Sequence, residues 1–190
     1  MTSEQRNDGR RSLVENDLKN SFDQSFPDRV ERYLRVKVHD YVSLTFFSHV
    51  VAECREMFAS GYFYGSISLS QAYAEALARF IAEKFEKSPP RDYKKNVQKL
   101  SKRKLITEDV ADAFLAIHGK DRNNFHHFNK EIEDNIQSLE TRAEDCLKRL
   151  NTIESNIFAY SWTEQGFKPK YAKYWHKKEN GEIAAYVRPS

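Results

Sequence analysis

Eleven residues in the middle of the chain carry most of its chemical capacity. Gly119 to Asn129 reads Gly-Lys-Asp-Arg-Asn-Asn-Phe-His-His-Phe-Asn, with two of the six histidines, three asparagines and one arginine. The ordinary pKa of histidine, about 6.5, lets it take or give a proton near neutrality. Arginine presents a planar fork that holds two phosphate oxygens. Arg122 with His127 or His126 therefore suits RNA cleavage without a metal. A base would take the 2′-hydroxyl proton, an acid would protonate the leaving 5′-oxygen, and the guanidinium would offset charge on the phosphorane.

The element that must position these groups is a long helix. From Phe125 the apolar positions run Phe125, Phe128, Ile132, Ile136, Leu139, Ala143, Cys146, Leu150, Ile153 and Ile157, in steps of three and four. Asp121 stands where an N-cap would stand. At about 100° per residue, Arg122 and His126 lie about 40° apart and Arg122 and His127 about 140°. A regular helix at Arg122 favours His126; an Arg122 in the loop or first turn lets His127 converge.

Arg122-Asn-Asn-Phe-His-His127 resembles the Arg-x4-His signature of HEPN domains, in the form Arg-Asn-x-apolar-x-His. His126 stands where that form usually has a small apolar residue. The setting is also similar: two long helices over about 40 to 87, shorter connecting helices, then a motif that opens the last long helix. The resemblance covers about residues 40 to 157. It implies an all-α, HEPN-like bundle of four to five helices and a homodimer in which two motifs form one composite site. It also implies a metal-independent endoribonuclease with His127 as base or nucleophile-orienting group, Arg122 as phosphate clamp and Asn123 as polar support. His126 is the second choice, and Glu75 on the second helix is a polar candidate facing the motif. A role in bacterial defence or a toxin–antitoxin system, with an antitoxin or other subunit as partner, follows from the same resemblance. The alternative is a non-catalytic HEPN module for dimerisation or RNA binding; a third reading is a plain helical scaffold.

Blander readings apply to the same residues. Arg122 could pair with Asp121 or Glu75, and the histidines could be half-exposed helix residues. His118, His126 and His127 could approach one another, but no standard zinc spacing is present, so no metal or cofactor is expected. Hydrolase triad signatures, glycine-rich phosphate loops and dinucleotide fingerprints are absent.

The net charge of +3 hides a segregation. Arg91 to Leu105 holds seven bases against Asp92, and residues 167 to 178 hold five lysines, no acid, and Tyr171, Tyr174 and Trp175. Asn129 to Asp145 holds six acids against two bases. Basic segments with interleaved aromatics suit a polyphosphate. Lys94, Lys95, Lys99, Lys102, Arg103, Lys104, Lys173 and Trp175 are thus candidate RNA contacts; solvated surface is the plainer reading of any one run.

Composition bounds the rest. At 190 residues and 39% hydrophobic, the chain supports one domain with a thin core, and 6 Gly and 5 Pro disfavour a turn-rich β fold. No apolar run approaches the roughly 20 residues of a membrane span, and the polar N-terminus is no secretory signal. A cytoplasmic protein is expected, with Cys54 and Cys146 as buried free thiols. Residues 1–26 read as a flexible tail with one weak helix near Leu13 to Phe22. Residues 27–160 read as the bundle, opened by a short helix with Asp28 as N-cap, and 161–190 as a loop and β-hairpin extension. Helices are expected over His39 to Ser60, from about Gly65 to Phe85, within 91–104, and from Thr107. Trp162 to Pro169 reads as a loop, and Asn180-Gly181 as a type I′ hairpin turn.

Overall fold

The computed structural model describes residues 3–43, 45–86, 88–119 and 136–188. The chain is mostly helical. Among the described residues there are six helices: α1 (Ser3–Arg35), α2 (Thr45–Ala59), α3 (Phe63–Glu83), α4 (Tyr93–Lys102), α5 (Glu108–His118) and α6 (Ile136–Ile157). Three two-stranded antiparallel pairs accompany them: β1 (Tyr41–Val42) with β6 (Tyr186–Val187), β2 (Tyr160–Thr163) with β3 (Gly166–Pro169), and β4 (His176–Lys177) with β5 (Ile183–Ala184). No described helix is long and apolar enough to cross a membrane.

The core lies between α2, α3, α5 and α6, and the three-and-four spacing of their apolar residues builds it. Phe47, Val51, Cys54 and Phe58 from α2 meet Tyr73, Leu77 and Ile81 from α3. Val110, Phe114 and Ile117 from α5 meet Leu139, Ala143, Cys146, Leu150 and Ile153 from α6. α2 closes on Gly61, whose φ of 82° lets the Tyr62 amide reach back to the Met57 carbonyl at 2.8 Å. Both cysteines are buried, and desolvation pushes the thiols up, to about 12 for Cys54 and about 11 for Cys146.

Several expectations are corrected. Residues 3–35 form one helix in place of a tail followed by a short helix, and it runs through Pro27. Six helices are described, where a bundle of four to five was expected. α2 begins six residues later than the expected start at His39, because Tyr41 and Val42 pair with Val187 and Tyr186. Ile136, expected on the inner face of the last helix, is 68% exposed. The segment expected as a loop over 162–169 is mostly a hairpin, with Trp162 opposite Phe167. The hairpin joining β4 and β5 is present, but Asn180 does not take positive φ; Gly181 alone does, at 84°. The Gly181 amide bonds the Lys178 carbonyl at 2.9 Å, which is a type I turn followed by a left-handed glycine.

The C-terminal strands are held by one side chain that periodicity could not reveal. Arg188 lies within the helical core, with its side chain 1% exposed. Its two terminal nitrogens bind the two Glu154 oxygens, each at 2.8 Å. The remaining N–H groups go to the carbonyls of Ser48, His39 and Phe47. All five donors of the fork are thereby used. Tyr73 donates its hydroxyl to Glu154 as well; burial and then the Glu154 charge push that phenol well above its ordinary value, so it stays a donor. Removing one partner of such a pair strands a buried charge, which costs about 3–5 kcal/mol. Arg188→Met should therefore lower unfolding free energy by about that amount in urea titrations, and adding Glu154→Leu should restore most of it.

Candidate nucleic-acid interface

Residues 120–135, and with them Arg122, Asn123, His126 and His127, lie outside the described residues. What the structure describes is the helices on either side of that segment, α5 and α6. The chain enters it at the C-terminus of α5, and that end is tightly fixed. The Arg142 guanidinium donates to the Ala116 carbonyl at 3.0 Å, and the buried Gln71 amide donates to the Ile117 carbonyl at 3.3 Å. A cation and an amide on the last carbonyls of a helix satisfy groups that have no partner within the helix. Sequence reasoning passed over both residues, because a cap supplied from another helix leaves no local signal.

His118 sits at that same end. Its ring stacks on Tyr93 with centroids 4.4 Å apart and 14° between planes, and its Nε2 is 3.4 Å from Glu75 Oε1. Glu75, the polar candidate on the second helix, is thus placed on α3 beside the residue that leads into 120–135. Among the described residues, no group of three His, Cys, Asp or Glu side chains could hold a metal ion.

α4 carries the basic segment, and its geometry follows from two caps and one anchor. Asp92 accepts from the Lys95 amide at 2.7 Å and starts the helix. Tyr93 turns inward and donates to the Phe114 carbonyl at 2.8 Å. That bond and the His118 stack set the start of α4 against the end of α5, so the two helices run antiparallel. Lys94 and Lys95 are exposed at the end where the chain enters 120–135; Lys102, Arg103 and Lys104 are exposed at the other. At 1.5 Å per residue the cationic face of α4 spans about 15 Å between them.

At its far end α4 closes in an unusual way. Lys104 takes a φ of 56°, the left-handed region where glycine is usual, while the Leu105 amide reaches the Leu100 carbonyl at 3.0 Å. A side chain there costs about 1 kcal/mol relative to glycine. The lysine lines a pocket of about 490 Å³, together with Lys102, Thr107, Asn156, Tyr171 and Lys173; Glu108 is the acid in that lining. The two basic segments, some seventy residues apart in sequence, meet in this pocket. Tyr174 fixes the meeting by donating its hydroxyl to the Leu105 carbonyl. Lys173 is held over the Tyr174 ring at 4.8 Å and near the Phe85 ring at 5.6 Å.

The expected contacts divide accordingly. Lys94, Lys95, Lys102, Lys104 and Lys173 lie along one path from the α5 terminus to the pocket. Lys99 lies on α4 and Arg103 directly follows it, but both bind Glu86, Lys99 at 2.7 Å. The Lys99 hydrogen bond, with Arg103 beside it, holds the Glu86 carboxyl below the usual carboxylate range. Their first task is to pin the α3–α4 connection. Trp175 is corrected outright: it is 2% exposed and packs edge-on against Phe167 and Phe158, at 5.1 and 5.5 Å between centroids. No base can stack on it. The exposed aromatic of that segment is Tyr171, at 39%.

No family model, no curated protein and no solved structure matches this chain.

The strained Lys104 separates stability from binding. Lys104→Gly should stabilise the fold by about 1 kcal/mol in thermal or urea unfolding. The same change should weaken binding to a single-stranded RNA oligonucleotide and lower the magnitude of the salt-dependence slope by about 0.7.

Proposed function

We propose that this chain is an RNA-binding protein of HEPN-like build that cleaves RNA without a metal ion. The observation that carries the reading is the course of α4. Its lysines run from the α5 terminus, where the chain enters the Arg122–His127 segment, to the pocket that Lys102 and Lys104 share with Lys173 and Tyr171. A strand lying along α4 would have its phosphates met by Lys94, Lys95, Lys102, Lys104 and Lys173, and Tyr171 would offer a base one aromatic face. The about 15 Å of α4 accommodates two to three nucleotides before the strand reaches the motif.

At that end the chemistry falls to Arg122, His127 and Asn123, with His126 as the alternative proton carrier. Arg122 binds the scissile phosphate through its fork. His127 takes the 2′-hydroxyl proton as the 2′-oxygen attacks phosphorus and the bond to the 5′-oxygen breaks, leaving a 2′,3′-cyclic phosphate and a 5′-hydroxyl. A second copy of the motif, from a homodimer, would supply the acid for the leaving oxygen. Glu75, on α3 beside His118, sits where it can set the charge at the entry to the segment.

The test is cleavage of mixed cellular RNA in excess chelator by the wild type, Arg122→Ala and His127→Ala. Cleavage that persists in chelator, leaves cyclic-phosphate ends and falls at least about a hundredfold in both variants is the expected result. Binding without cleavage by the wild type would replace this reading with a non-catalytic RNA-binding module. Cleavage unchanged in both variants would place the chemistry elsewhere.

A further inference from the structure

The pocket of about 490 Å³ beyond the C-terminus of α4 holds more positive charge than a passing strand needs. Lys102, Lys104 and Lys173 line it against one acid, Glu108, which leaves an excess of two positive charges. The lysines that pair with acids among the described residues are Lys99, Lys148 and Lys178; these three have no acid partner. Lys173 is held by the Tyr174 and Phe85 rings instead, and Lys104 by a left-handed backbone at a φ of 56°. A side chain kept where glycine is usual points to a use for that side chain. An internal phosphodiester carries one negative charge, whereas a terminal phosphate monoester carries about 1.5 to 2 at pH 7. The excess in the pocket matches the monoester.

The pocket is also closed at its back. Ile106, Val110 and Ile157 form a buried apolar wall, each at most 6% exposed. Tyr174 and Leu105 both line the pocket, and the Tyr174 hydroxyl donates to the Leu105 carbonyl. No strand can pass between them, so a backbone that arrives along α4 ends here. The volume lies within the range of small-molecule sites, about 300–1,000 Å³, and takes one nucleotide. Polar groups for such a nucleotide are present beside the lysines. The Asn156 amide nitrogen donates to the Thr152 carbonyl at 3.0 Å, which leaves its oxygen to accept from a ribose hydroxyl or a base edge.

We propose that this pocket seats a phosphorylated end of the RNA, so that the substrates are strands with a terminal phosphate monoester, cut at a fixed short distance from it. The inference rests on the reading of α4 as an RNA path and adds which strands that path selects. Lys102, Lys104 and Lys173 hold the monoester, and its second negative charge distinguishes it from a hydroxyl end or an internal phosphate. With the end seated, the about 15 Å of α4 sets the distance to the Arg122–His127 segment. The cut then falls about two to three nucleotides from the phosphorylated end whatever the sequence or the total length. The same chemistry occurs at a 5′-phosphate, at a 3′-phosphate and on a free mononucleotide, and the experiment separates the three.

Fluorescence anisotropy of the full chain with one short single-stranded RNA sequence tests it. The RNA is 2′-O-methylated to prevent cleavage and carries a 5′-phosphate, a 3′-phosphate or hydroxyls at both ends. One of the two phosphorylated forms is expected to bind at least about fivefold more tightly than the hydroxyl form. Lys173→Ala is expected to abolish that preference; Lys94→Ala, at the other end of α4, is expected to weaken all three forms and keep it. Adenosine monophosphate is expected to bind more weakly than the preferred strand, because it lacks the α4 contacts. Equal binding of the three forms overturns the end-binding inference and leaves the RNA path standing, whereas binding of none overturns both. A preference that survives Lys173→Ala, with thermal unfolding unchanged, places the end elsewhere and overturns the inference. Adenosine monophosphate bound as tightly as the preferred strand assigns the pocket to a free nucleotide and overturns it too.

Discussion

The pair between Arg188 and Glu154 is the constraint on which the rest of the arrangement depends. It joins the C-terminal strands to the last helix, and it joins both to the start of α2 through the Phe47 and Ser48 carbonyls and to the segment before β1 through that of His39. A buried ion pair of this kind adds little net stability compared with an apolar pair of equal shape. It does enforce one position. The guanidinium has five donors and every one is met; any shift of the terminal strand leaves a charge stranded in the core. The β1–β6 pairing and the bond from the Ser48 hydroxyl to the Val187 carbonyl, at 3.1 Å, rest on that register.

The consequences run back along the chain. With Arg188 seated, β5 and β4 lie close by, and the His176 amide meets the Ser43 hydroxyl at 2.6 Å. Trp175 then fills the aromatic cluster with Phe158 and Phe167, and Tyr41 closes it from the other side at 5.5 Å from Phe167. Tyr174 follows Trp175 and bonds to the loop between α4 and α5. Lys173 and Tyr171 are thereby delivered to the far end of the α4 lysines. The extension is part of the basic surface because its own core is pinned, and the Trp175 that composition marks as a contact is spent on packing so that Tyr171 and Lys173 can face outward.

What the sequence made legible were features that follow from local repetition. The inner faces of α2, α3, α5 and α6, the Thr107 start, and the Gly61 stop are all written in steps of three and four or in one capping residue. The β4–β5 hairpin was visible for the same reason, though its turn type depended on whether Asn180 or only Gly181 took positive φ. Long-range effects were not legible. Nothing near position 188 marks an arginine as a core residue, although Glu154 falls on the buried face of α6, one four-residue step from Leu150. The start of α2 yields to a strand pairing with residues 145 positions away. Pro27 reads as a boundary because proline usually is one, yet α1 continues through it. In the candidate site, the basic character of the two segments was legible in composition, but their meeting was not, and Lys99 and Arg103 are paired by Glu86, an acid outside either segment.

On the proposed function, RNA follows α4 from the 120–135 segment to the pocket shared by the two basic segments. Photocrosslinking of a short single-stranded RNA carrying 4-thiouridine, with the modified peptides mapped by mass spectrometry, tests it most directly. The account predicts crosslinks in three stretches on one path: residues 120–135, residues 93–104, and Tyr171 with its neighbours. Crosslinks confined to the β2–β3 hairpin or to α1, with none along α4, would contradict it.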